Sequence, residues 1–153
     1  MVYIIVALKA EAQAFVDKFK LKNYQNDHIK VVISGIGSKA MKEKTIEVLK
    51  AFDKKDKILN IGICGANENY TIGELIDARQ EEIICVDYEM KNHKYSIVDM
   101  ESAGFIEATM GIEESYIFKI VSDHFEPHKV TKDKSKQLIF NQIDEIMKRI
   151  NNA

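Results

Sequence analysis

The chain has 153 residues, 46% of them hydrophobic and 30% charged, which suits one globular domain with an ordinary core and excludes a disordered or low-complexity chain. A net charge of −2 and an isoelectric point near 6.1 give no bulk attraction to nucleic acid or to an anionic membrane. The opening MVYIIVALKAEA holds a seven-residue apolar run with no basic lead, so neither a signal peptide nor a membrane span is indicated and a cytoplasmic protein is expected. Cys64 and Cys85 each sit in an apolar run, as buried reduced thiols do.

Along the chain, short apolar runs rich in β-branched residues alternate with longer segments of helical period. That pattern predicts a single α/β domain over residues 1–153 with a largely parallel sheet. The predicted strands are Val2 to Leu8, Ile29 to Ser34, Lys57 to Cys64, Glu82 to Asp87, Tyr95 to Val98 and Ser115 to Val121. Most lack polar alternation, so both their faces are expected to be covered. Helices are predicted over Ala10 to Phe19, Lys39 to Phe52 and Glu101 to Met110. A last one, Asp133 to Asn151, carries Leu138, Ile139, Ile143, Ile146, Met147 and Ile150 on one stripe. The irregular stretch NENYTIGELIDARQ has the Asn and Gly of turns but also Ile72, Leu75 and Ile76, which allows a short strand. Pro127, the only proline, marks a loop.

Several motifs invite a chemical reading. SGIGSKA follows a strand and opens a helix, placing Gly35 and Gly37 where a dinucleotide fingerprint has its first two glycines. The acid that such a site wants at the end of the next strand is missing, so close packing of helix and strand is the better reading. His124 and His128 are four apart but separated by Pro127, which removes the helical spacing of a zinc pair. No G-x-S-x-G elbow is present. Gly62 and Gly65 in IGICGA lie toward the carboxyl end of a central strand, where open α/β sheets bind ligands. Three acids follow strands or open helices: Glu11, Glu101 and Asp123. Each alone reads as a first-turn carboxylate or a loop cap. Together they leave the same end of one parallel sheet, where they can meet, and carboxyls in different surroundings divide acid and base work.

With those residues in place, the chain resembles the purine nucleoside phosphorylase and nucleosidase superfamily, and within it the methylthioadenosine/S-adenosylhomocysteine nucleosidases. The likeness rests on five stretches in order: IIVALKAEAQAF, VVISGIGSKA, ILNIGICGANENYTIGELI, IVDMESAGF and FKIVSDHFE. It implies a three-layer sandwich, a mixed and largely parallel sheet flanked by helices, and hydrolysis of the N-glycosidic bond of a purine ribonucleoside without metal or cofactor. By resemblance, Glu11 is the acid that activates water and Asp123, supported by Ser122, protonates the purine. Glu101 binds the ribose hydroxyls with Met100 packed on the sugar, and Gly62, Ile63 and Gly65 lie beneath sugar and base. Ile63 stands where the nucleosidases usually have serine, and His124 is bulkier than usual. Phosphorylases of the superfamily carry arginine where this chain has Asn60 and in the loop that here reads Leu8-Lys9-Ala10-Glu11, so water is the expected nucleophile and phosphate the alternative. A nucleoside-binding member without turnover is a further alternative. The chain is shorter than the family's usual enzymes between TIGELID and VDMES, where relatives carry the base-stacking segment. Tyr88, Glu89 or Met90 is expected near the base instead, with the Glu126 to Lys132 loop or a partner subunit excluding water; a homodimer is implied by resemblance alone.

Overall fold

The computed structural model describes residues 1–151. Its elements in chain order are β1 (Val2–Val6), α1 (Lys9–Phe19), β2 (Ile29–Ile33), α2 (Ser38–Leu49), β3 (Lys57–Ala66), β4 (Leu75–Asp77), β5 (Ile84–Cys85), β6 (Ile97–Asp99), α3 (Ser102–Ala108), β7 (Ser115–Asp123), α4 (Lys132–Phe140) and α5 (Ile143–Asn151). The fold is α/β, a mixed seven-stranded sheet between helices. β1 pairs in parallel with β2 and β3, β3 with β7, and β5 with β6, while β6 on β3 and β4 on β7 run antiparallel.

Side chains alternate across a strand, so an unbroken apolar run feeds two cores. In β1, Ile4 and Val6 join one cluster with Ala12 and Phe15 of α1, Ile139 of α4, and Ile143, Ile146 and Ile150 of α5. Tyr3 and Ile5 join the other with Met41 of α2 and Phe105 of α3. The layers are therefore α1, α4 and α5, then the sheet, then α2 and α3. The expected last helix is divided: Asn141 and Gln142 separate α4 from α5, and Gln142 Nε2 donates to Gly73 O at 2.9 Å. The apolar stripe survives the break because both halves face the same core. The β4 strand settles the irregular stretch, which keeps only Leu75 to Asp77 in the sheet. Cys64 is buried as expected, whereas Cys85 is only half-buried, since β5 is short and at an edge. No helix among the described residues is long and apolar enough to cross a membrane.

β3 decides where a cleft opens. β7 follows one of its edges from Ile58 to Gly65, so β1 and β6 share the other edge. β1 leaves that edge after Asn60, and β6 joins it only at Gly65. The intervening backbone has no strand partner.

The second contact that shapes the cleft is between α2 and α3. Gly104 in α3 lies so close to the start of α2 that a Cβ there would stand 1.9 Å from Ser38 O. Backbone cannot yield as a side-chain tip can, so Gly104→Ala must push the helices apart. We expect a loss of about 3 kcal/mol, the upper range for overpacking, read as a lowered denaturation midpoint with an unchanged m-value.

Candidate active site

Glu11 occupies the third position of α1 and is 2% exposed. Its Oε1 accepts from Ala7 N (3.1 Å) and Leu8 N (2.9 Å), capping its own helix. Its Oε2 accepts from Ile63 N (3.1 Å), a donor on the unpartnered stretch of β3. One carboxyl group thus closes the gap that β1 and β6 leave. Burial is the strongest influence on its proton and raises its pKa to about 7. The Lys119 ammonium and the bonds from Leu8 and Ile63 oppose that rise, and Glu101 adds to it.

Glu101 is the residue before α3, and its Oε2 accepts from Gly37 N at the start of α2 (2.9 Å). Gly35 and Gly37 have φ of 90° and 105°, a region that favours glycine. The glycine loop that opens α2 therefore presents its N–H to an anion, as such loops do, but the anion is the protein's own carboxylate. Asp99 caps α3 by accepting from Ser102 N (2.8 Å) and from the Ser102 hydroxyl. It also pairs with Lys119 Nζ at 3.1 Å, both side chains being sealed from solvent.

Asp123 ends β7. Its Oδ2 accepts from Glu126 N (2.8 Å), closing a turn in which Phe125 takes φ 62°. Such a backbone costs about 1–3 kcal/mol, and the Phe125 ring, 3% exposed and edge-on to His93 at 5.0 Å, holds it in place. Ser122 Oγ lies 2.6 Å from Asp123 Oδ1 and 3.2 Å from Cys64 O, with one hydrogen to give between two acceptors.

Glu11, Glu101 and Asp123 all line one cavity of about 270 Å³. Ile63, Gly65, Met100 and Ser122 lie on its wall as well. Gly62 does not: it stands behind Glu11, where a Cβ would lie 3.0 Å from Glu11 Oε2 and 3.3 Å from Lys119 Nζ. The far wall comes from Val86, Glu89 and Met90 with an exposed Tyr88, and from Pro127, Val130 and Lys132. Both segments expected to cover the base end therefore reach the cavity. Asn60 is wholly buried off the wall and donates to Ile5 O. Lys9 is exposed and off the wall too. Among the described residues no group of three His, Cys, Asp or Glu side chains is placed to hold a metal ion.

The residue missed in the sequence is Lys119. It is 1% exposed, in the middle of the apolar run YIFKIVS. A lysine inside a strand covered on both faces needs a buried anion, and that requirement was the available signal.

The element order, the layered sheet and the cleft at the strand ends define a nucleoside phosphorylase-like architecture. Solved structures of that architecture match along nearly the whole chain. A protein of Francisella philomiragia provisionally assigned as a 5'-methylthioadenosine/S-adenosylhomocysteine nucleosidase matches with a TM-score of 0.77 at 15% identity, covering 99% of this chain and 99% of that one. Futalosine hydrolase of Helicobacter pylori matches at 0.75 and 16% identity, covering 97% of each chain. The 5'-methylthioadenosine nucleosidase of Arabidopsis thaliana matches at 0.72 and 16%, covering 99% of this chain and 94% of that one. At such identity the likeness establishes the fold. No protein-family model matches the sequence, and no curated protein matches it.

Gly62→Ala tests the packing behind Glu11. The new methyl would press on both charged tips, and we expect a loss of about 1–3 kcal/mol in a denaturant titration with the fold retained.

Proposed function

We propose that this chain hydrolyses the N-glycosidic bond of a purine ribonucleoside, of the 5'-methylthioadenosine or S-adenosylhomocysteine kind. The observation that carries the reading is the meeting of three carboxyl groups, Glu11, Glu101 and Asp123, in one cavity, each with different partners. Breaking the bond builds positive charge on the ribosyl ring and pushes electrons into the purine. Asp123 protonates the base as it leaves. The Ser122 hydroxyl, 2.6 Å from Asp123 Oδ1, and Glu126 N–H supply donors to the carboxylate that the transfer leaves. Glu101, fixed by Gly37 N, takes the ribose hydroxyls and faces the developing cation. Met100 packs against the sugar, with Ile63 and Gly65 forming the floor and Gly62 making room for the carboxylate behind it. Glu11 takes a proton from water at the anomeric carbon.

Hydrolysis is favoured over phosphorolysis by charge. The cavity wall carries the carboxyl groups of Glu11, Glu89, Asp99, Glu101 and Asp123, with Lys132 as its cationic side chain and no arginine on it. A phosphate dianion needs paired cationic donors there. We further propose that residues 1–153 act as one domain, as a cytoplasmic homodimer in which a partner helps to exclude water. The exposed Ile36 on the cavity wall, and Ile106 of α3 with Met110 just beyond that helix, at 54% and 78% exposure, support an apolar contact of that kind.

A panel of purine nucleosides, incubated with and without phosphate and resolved by chromatography, tests the reaction. Free base with ribose is expected; ribose phosphate would indicate phosphorolysis, and saturable binding without product a non-catalytic member. Glu101→Gln and Asp123→Asn should each lower kcat at least about a hundredfold while circular dichroism stays native. Because the base must be ionised, kcat/KM should fall about tenfold per pH unit below about pH 7, the value to which Glu11 is raised.

A further inference from the structure

Lys119 and Asp99 are a buried ion pair that the steps above do not use. Lys119 is paired in register with Gly62 across β3 and β7, and the missing Gly62 side chain leaves its ammonium facing the same small space as Glu11 Oε2. Asp99 Oδ2 holds the same ammonium at 3.1 Å. Resting on the reading of Glu11 as the base, we propose that the Asp99–Lys119 pair tunes that base: Lys119 is a positioning residue that keeps Glu11 available in its ionised form, and Asp99 sets how much of the ammonium's field Glu11 receives.

The charged groups around Glu11 come from three elements. Lys119 lies on β7, Glu101 at the start of α3, and Asp99 at the end of β6 behind the ammonium. The nearby thiol of Cys64 on β3 is pushed well above its usual range by burial and stays neutral. Burial alone would strip Lys119 of its proton, but Asp99, Glu101 and Glu11 outweigh it and leave the pKa raised, so the ammonium is charged. One cation therefore serves three acids. Asp99 and Glu11 compete for its position, and the ammonium is held at 3.1 Å by Asp99 rather than against Glu11. With the cation removed, Glu11 keeps its desolvation and its repulsion from Glu101 and holds its proton to higher pH. With Asp99 neutral, the ammonium is free to move toward Glu11, which then ionises at lower pH.

The two directions are opposite, which a loss of packing would not produce. Protein labelled with ¹³C at glutamate carboxyls, with the Glu11 signal assigned by its loss in Glu11→Gln, should titrate with a midpoint near 7. Lys119→Met should move that midpoint up by about 1–3 units, the usual worth of a neighbouring opposite charge. Asp99→Asn should move it down by about one unit, and Lys119→Arg should leave it in place. The acid limb of kcat/KM should follow each shift. A midpoint unmoved by Lys119→Met, or unmoved or raised by Asp99→Asn, overturns the proposal. Where Lys119→Met fails to fold, Asp99→Asn, which keeps the side-chain shape and an oxygen for Ser102 N–H, decides the matter alone. Purine release with stationary midpoints removes the tuning and leaves the nucleosidase. Shifting midpoints with no purine from any nucleoside leave the coupling and remove Glu11's role in turnover.

Discussion

A break in the pairing of β3 governs this structure. Backbone donors in an interior must find acceptors, and the stretch between Asn60 and Gly65 on one edge of β3 has no strand to supply them. A carboxylate from the next helix supplies one. Glu11 can do so only by coming out of water, and its raised proton affinity follows from that position. The gap that makes room for a ligand and the chemistry of the group at its edge thus have one cause. Had β1 continued two residues further along β3, there would be a longer sheet and no such acid.

The second acid is placed by helix contact. α2 and α3 meet backbone against backbone at Ser38 and Gly104, and that approach brings Gly37 N within reach of Glu101. Fully burying Met41 and Phe105, each worth about 1.5–3 kcal/mol, drives the helices together. Apolar packing on one face of the sheet therefore fixes a carboxylate at its end. Asp123 is placed differently, by a turn whose strained Phe125 is held by its own burial.

What could be read from the sequence follows what is local. Apolar runs such as VYIIV and the spacing of Ile139, Ile143, Ile146 and Ile150 specify elements, and both cores follow from them. The capping of α3 by Asp99 also rests on neighbours in sequence. That Glu11, Glu101 and Asp123 leave one end of the sheet was legible, but their convergence also needs the order of the strands, which no local pattern encodes. The division of the last helix depended on Gly73, 69 residues away from Gln142, and no local pattern encodes such a bond. Lys119 was hidden for the same reason: its partners Asp99 and Glu101 come from another element, and within YIFKIVS it looked like an interruption in a strand. Gly62 shows the reverse case, a residue whose position in the fold was legible but whose neighbours, Glu11 and Lys119, were not.

Each of the three acids is also a fastener. Glu11 ties α1 to β3, Glu101 ties α3 to α2, and Asp123 ties β7 to the loop after it. Drift under relaxed selection removes groups that serve turnover alone sooner than groups that also hold two elements together. A descendant that had ceased to process any substrate would shed all three slowly, so their presence records the history of an architecture as well as the history of an activity.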